Sequence, residues 1–241
     1  MDLFYRQLGE GEPLVILHGI FGISDNWITI GRKLAEKFSV YIPDQRNHGQ
    51  SPHHAVFNYH ALEADLEEFL DARGLEKVNL IGHSMGGKVA MGFTLNNPER
   101  VKRLAVVDIS PKAYPPRRTH LKMLEAMLAV DITNVKTRAE VEQQLGAMGL
   151  EGRIRQFVMK NLHRIGQNSF LWRINLDSLY ENIENMTSWE ERAGSFSGPV
   201  LFVKGGKSDY IDIADEGIIK AMFPDSEIET IKKASHWVHA D

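Results

Sequence analysis

Val78-Asn79-Leu80-Ile81-Gly82-His83-Ser84-Met85-Gly86-Gly87 is an apolar run that stops at a serine with glycine two residues away on each side. We read it as a strand that ends in a sharp turn and re-enters the chain as a helix, with Ser84 at the tip. A serine there is held in a strained backbone conformation, and small neighbours let the turn close without side-chain collision. Its hydroxyl is carried above the sheet rather than packed within it. The residues before the serine have the character of a buried strand, and Lys88 to Leu95 continues as a helix that Pro98 stops.

The same rhythm extends on both sides of this stretch. Leu3 to Leu8 reads as a short opening strand closed by Gly9-Glu10-Gly11-Glu12-Pro13. Leu14-Val15-Ile16-Leu17 is a continuous apolar run of the kind buried on both faces, and it ends in His18-Gly19-Ile20-Phe21-Gly22. A helix is expected from Ser24–Trp27 to about Phe38. Ser39-Val40-Tyr41-Ile42-Pro43 follows as a strand that ends in Asp44-Gln45-Arg46-Asn47-His48-Gly49-Gln50-Ser51. Tyr59, Leu62, Leu66, Phe69 and Leu70 share a helical face, with Asn58 as N-cap and Gly74 as terminator. Leu104-Ala105-Val106-Val107 forms a further strand, ending in Asp108. Strand, loop, helix, strand in repetition predicts a mostly parallel sheet flanked by helices, with functional groups at the carboxyl ends of strands.

Between Pro111 and Ser197 the rhythm disappears. Leu121, Leu124, Met127 and Leu128 form a helical stripe, and helical patterns recur over Val141–Met148 and Ile154–Leu162 without a convincing buried strand. The span reads as a mainly helical insertion. Pro199-Val200-Leu201-Phe202-Val203 resumes the strands and ends in Lys204-Gly205-Gly206-Lys207-Ser208-Asp209-Tyr210. A helix at Ile218–Phe223 and an alternating strand at Glu227–Ile231 lead to Ala234-Ser235-His236-Trp237. The predicted division is a core of residues 1–110 and 198–241 with the insertion at 111–197.

Composition bounds the chemistry. The 241 residues suffice for one large domain with a substantial core, and 43% hydrophobic with 25% charged residues is ordinary for a globular protein. With a net charge of -4 and no long block of like charge, nucleic-acid binding is not expected. Pro115-Pro116-Arg117-Arg118 is the one dense basic spot and reads as a solvated loop. Absence of cysteine removes disulfides, thiolate catalysis and zinc-thiolate sites, and fits the cytoplasm. No leader-like start and no membrane-spanning apolar run are seen. Nothing in the sequence bears on the oligomeric state.

A serine hydroxyl needs a base to take its proton and a carboxylate to orient that base. His236, late in the chain and just beyond a strand, is the candidate base. His239 competes from three residues further on, and His83 is expected to be turned away from Ser84. For the acid, Asp108 ends the strand that follows the elbow unit and Asp209 sits in the loop after the next strand, and either could reach a histidine delivered from the last loop. The residues alone leave that choice open. An oxyanion formed during acyl transfer would be held by the backbone N–H of Met85 and by that of Ile20, with Phe21 as the alternative. His18 is expected to tie loops together. Asp44, Arg46, Asn47 and His48 match no metal-ligand spacing and read as a hydrogen-bonded turn. No metal or cofactor is implied.

His18-Gly19-Ile20-Phe21-Gly22, Asp44 to Ser51, Gly82 to Gly87 and His236-Trp237-Val238-His239-Ala240 together resemble the α/β-hydrolase superfamily over nearly the whole chain. Their particular variants look like the small bacterial YbfF-type esterases, which act on acyl esters and acyl-CoA thioesters. In that subfamily the acid follows the strand after the elbow helix, which matches Val107-Asp108-Ile109 and tips the choice to Asp108. Asp209 matches the acid position of most of the wider superfamily and stays as the alternative. The resemblance implies that the insertion is a cap shaping an acyl pocket. Phe170, Trp172, Leu176, Leu179, Tyr180, Met186 and Trp189 are candidates for its lining, although each alone is better read as packing between cap and core. Members continue past the catalytic histidine into a last helix, whereas this sequence stops five residues after His236. A truncated chain is therefore expected, with a poorly anchored histidine loop should the chain be whole.

The leading expectation is a serine carboxylesterase acting through an acyl-enzyme on Ser84, on a small-molecule ester or thioester, without a nucleic-acid or membrane partner. The alternatives are a cofactor-free hydrolase of lactones or carbon–carbon bonds, and a ligand-binding receptor that keeps the triad as a relic.

Overall fold

The computed structural model describes residues 1–115, 118–167, 169–190 and 192–241. Pro116 and Arg117 of the basic spot lie outside the described residues; Pro115 and Arg118 beside them are exposed. Strands β1 (Tyr5–Leu8), β2 (Glu12–Leu17), β3 (Phe38–Pro43), β4 (Val78–His83) and β5 (Val101–Val107) alternate with helices α1 (Ile28–Leu34), α2 (Tyr59–Asp71) and α3 (Met85–Asn96). Helices α4 (Arg118–Ala129), α5 (Arg138–Ala147) and α6 (Gly152–Val158), the short strands β6 (Leu162–Arg164) and β7 (Phe170–Trp172), and helix α7 (Leu176–Glu181) follow. Strand β8 (Val200–Gly205), helix α8 (Glu216–Met222) and strand β9 (Ser226–Ile231) complete the order.

Seven strands form one sheet in the order β1-β3-β2-β4-β5-β8-β9. Only β1 runs antiparallel to its neighbour; the other pairings are parallel. The continuous apolar runs follow from this. Val15 and Leu17 of β2 enter the larger core with α2 and α3, while Leu14 and Ile16 enter a second cluster with Val40, Ile42 and residues of α1. A strand with helices over both faces has no polar side to alternate. The carboxyl ends of β2, β4, β5 and β8 lie side by side, which brings four distant loops together.

Local signals account for several element ends. Asn58 has extended backbone and its side chain accepts the Ala61 N–H at 2.9 Å, as an N-cap does. Gly74, at φ +62°, turns the chain out of α2. The helix expected to reach Phe38 is shorter: Ser24–Trp27 is a 3₁₀ turn, α1 stops at Leu34, and Phe38 already pairs in β3 opposite Glu12. The insertion is helical apart from an antiparallel hairpin of β6 and β7, which pairs Leu162 with Trp172 and Arg164 with Phe170. Three-residue strands are too short to leave a periodic pattern. Among the described residues, no helix is long and apolar enough to cross a membrane.

The return of the insertion is clamped to the core by charge. Arg192 donates to Glu63 of α2 through Nη2 to Oε1 at 2.6 Å and Nη1 to Oε2 at 3.0 Å, and Asn96 of α3 donates to the same carboxylate at 3.1 Å. Both charged side chains are almost fully buried. Removing one partner of such a pair strands the other, at a cost of about 3–5 kcal/mol. Arg192→Ala is expected to lower the thermal midpoint by roughly 10 °C. A calorimetric scan showing an unchanged midpoint would remove the clamp from the account of stability.

Candidate active site

The elbow is built from close backbone approaches. A Cβ on Gly82 would collide with the Gly86 carbonyl, and one on Gly86 would collide with the carbonyls of Leu17 and His18. Ser84 sits at φ 52°, ψ -116°, a conformation that costs a non-glycine residue about 1–3 kcal/mol. Its N–H donates to Val107 O at 3.0 Å and its carbonyl accepts the Lys88 N–H at 3.1 Å, so the strand ahead and the helix behind both fix the turn.

His236 reaches the elbow from the loop after β9. Its Nε2 lies 3.0 Å from Ser84 Oγ and its Nδ1 lies 2.7 Å from Asp108 Oδ2. A carboxylate only accepts, so the Nδ1 proton points to Asp108 and Nε2 keeps its lone pair for the serine hydroxyl. Asp108 is 0% exposed. It also has φ 52°, and its Oδ1 accepts the Gly205 N–H at 2.8 Å while Ser208 Oγ donates to Oδ2. Asp209 is exposed, next to Ser208 in the same loop. Tyr210 stacks on the His236 ring at 3.9 Å between centroids.

The histidine loop is held more firmly than the short stretch after it predicts. Lys207 N–H donates to Ala234 O at 2.9 Å, His83 Nε2–H donates to His236 O at 2.8 Å, and Ser235 N–H donates to the Asp241 carboxylate at 2.6 Å. His83 is thus turned from the serine, as expected, and supports the loop that carries His236. Burial first, then the His236 and His239 imidazoles, push His83 well below the usual histidine range. His239 stacks on Trp27 at 4.6 Å, and burial draws it down to about 4. Neither ring replaces His236 at the hydroxyl.

The loop after β2 supplies two candidate oxyanion donors, and the structure separates them. Phe21 N–H already donates to His48 Nε2 at 3.2 Å. Among the described residues, neither Ile20 N–H nor Met85 N–H donates to a protein acceptor. His18 ties loops together: its Nε2 accepts the Gln45 N–H at 3.0 Å and its Nδ1–H donates to Gly19 O at 2.9 Å. Burial pulls His18 down to about 4 and His48 to about 3, so both rings are neutral hydrogen-bonding elements. Asp44 accepts the N–H groups of Ser24 and Gln50, and Arg46 forms a fork on Asp65 at 2.5 and 2.8 Å. Asn47 bonds with His54 and Ser178. This stretch is a hydrogen-bonded turn.

Two small cavities of about 30 Å³ each flank Ser84, and both are also lined by Ile20 and His120. The first is bounded by Trp27, Met123, Phe157 and Trp237, the second by Tyr59, Lys88, Tyr114 and Tyr210. Of the residues expected to line an acyl pocket, only Met186 does so. Phe170, Leu176 and Leu179 are buried in the core, Trp172 and Trp189 pack against it, and Tyr180 is exposed. The insertion's share of the lining instead comes from α4, from Phe157 of α6, from Tyr114 before α4 and from the Met186–Thr187 turn. Lys88 had a sequence signal, the single charged residue of its helix; His120 and Tyr114 had none.

A family model described as alpha/beta hydrolase fold matches residues 12–241. The chain is 40% identical over 240 residues to the "sn-1-specific diacylglycerol lipase ABHD11" of Danio rerio, covering 97% of this chain and 75% of that protein. It is 34% identical over 235 residues to "Esterase YbfF" of Escherichia coli, covering 96% and 89%. A solved structure named "Marine microorganism esterase" superposes with a TM-score of 0.96 at 45% identity, over 100% of this chain and 94% of that one. A parallel sheet with its polar loops gathered at one end, a serine at a strained strand-to-helix turn, and a family match over most of the sequence agree: this chain belongs to the α/β-hydrolase fold family.

Proposed function

We propose that the chain hydrolyses carboxylic esters with Ser84 as nucleophile, His236 as general base and acid, and Asp108 as the carboxylate that orients the imidazole. The protein is a serine ester hydrolase. Ser84 Oγ attacks the acyl carbonyl as its proton passes to His236 Nε2. The N–H groups of Met85 and Ile20 hold the oxygen that becomes negative. Collapse expels the alcohol, which takes the proton from His236, and leaves the acyl group on Ser84. Water, deprotonated by the same Nε2, then releases the acid and restores the serine. Residues 111–197 act as the cap over the core of 1–110 and 198–241, closing the two cavities from above. A cysteine-free chain fits the reducing cytoplasm, which is its proposed location.

The observation that carries this reading is the relay of 3.0 and 2.7 Å from Ser84 Oγ through His236 to a fully buried Asp108. An ester bond is also what the names of the compared lipase and esterases share. A fluorophosphonate is expected to label the protein with a stoichiometry of about one, and short p-nitrophenyl esters to turn over. An intact protein that neither labels nor hydrolyses them would sink the enzyme reading and favour a receptor.

A further inference from the structure

Lys88 is 1% exposed and lines the second cavity beside Ser84. Its Nζ donates to the carbonyls of Thr187 at 3.2 Å and Ser188 at 2.5 Å, and lies 5.4 and 5.0 Å from the ring centroids of Tyr59 and Tyr114. Two carbonyls and two ring faces supply partial charge only. Among the described residues, no carboxylate pairs with Lys88. Its place in the first turn of α3 adds to the difficulty, because the helix end there is itself positive. A buried cation without a counter-charge is costly, and a site that retains one has a use for it. Burial alone pulls this ammonium down to about 7, which registers the same lack of a nearby anion.

We infer that the Lys88 ammonium is a subsite for a carboxylate at the far end of the acyl chain, so that half-esters of short dicarboxylic acids are preferred over unsubstituted acyl esters. This rests on the ester-hydrolase reading and names its substrate class. The distance favours a short acid. Ser84 and Lys88 are about one helical turn apart, ~5.4 Å along the axis, and long helical side chains lean back towards the N-terminus. An acyl chain of about four or five carbons spans that gap when its carbonyl is at Ser84. Two of the three N–H bonds of Lys88 are taken by carbonyls, which leaves one for the incoming carboxylate. The rings of Tyr59 and Tyr114 wall the cavity and keep the pair from bulk water, where it would be weak.

The test compares ethyl hydrogen glutarate with ethyl pentanoate, a pair alike in length that differs in the terminal carboxylate. In the wild type, kcat/KM is expected to favour the half-ester by about 10- to 100-fold, the range of a charge-assisted hydrogen bond. Lys88→Met is expected to collapse that ratio and Lys88→Arg to retain part of it. A second measurement needs no variant: glutarate should inhibit the wild type at a concentration at least tenfold lower than pentanoate. Hydrolysis of both esters with a wild-type ratio near one, or equal inhibition by the two acids, overturns the subsite and leaves the ester reading intact. Hydrolysis of neither overturns both.

Discussion

Ser84→Ala is expected to lower kcat on a short acyl ester by about 10⁴- to 10⁶-fold and to abolish fluorophosphonate labelling, without loss of the folded state. The size follows from what disappears. Without Oγ no acyl-enzyme forms, and only substrate placement and the N–H groups of Met85 and Ile20 still act on an attacking water. At 1.36 kcal/mol per decade, this is about 5–8 kcal/mol of barrier. His236→Ala should cost nearly as much, and the double variant little more, because the hydroxyl and the ring 3.0 Å from it act as one unit. Additive losses in a kinetic cycle of the two variants would mean that they do not share a proton.

Asp108→Asn is expected to lower kcat by about 10⁴-fold, and Asp209→Asn by less than about fivefold. The mechanism of the loss can be read from the bonds around Asp108. Its Oδ1 receives the Gly205 N–H, so the amide oxygen of an asparagine takes that position and the NH₂ group turns towards His236. The imidazole must then accept at Nδ1 and carry its proton on Nε2, facing Ser84 Oγ with a donor where a base is required. Asparagine tolerates the positive φ of this position, so the backbone is retained and the defect lies in the tautomer. Protein NMR of the His236 ring reads the tautomer directly. The reverse ranking, with Asp209→Asn the crippled variant, would move the acid to the loop after β8 and overturn the assignment made here.

The parts of this site that could be read in the sequence are those fixed by short stretches of chain. Ser84 is marked by glycines that permit backbone contact, and His236 by its place just beyond the last strand. Each signal spans about five residues. The acid is less legible, since Asp108 directly after β5 and Asp209 in the loop after β8 both lie within reach of the last loop, and only the fold shows that Asp108 is the one buried against His236. Ile20 is preferred over Phe21 in the sequence, but the reason Phe21 is unavailable is not local: its N–H is claimed by His48, which lies 27 residues further along. The cavity walls were least legible. Phe170 of β7 and Leu176 and Leu179 of α7 pack into the core, while His120 and Met123 reach the cavities from α4. The fold was recognisable because continuous apolar strands report burial on two faces, whereas the hairpin of β6 and β7 was too short to report anything.

The backbone at Ser84 sets stability and chemistry against each other. At φ 52° a glycine would be relaxed where serine is not. Replacing Ser84 by glycine is therefore a downhill step for the backbone, one that relieves strain while it removes the hydroxyl. Serine stands here beside a correctly bonded imidazole, so the strain at this position falls on the residue whose hydroxyl the relay uses.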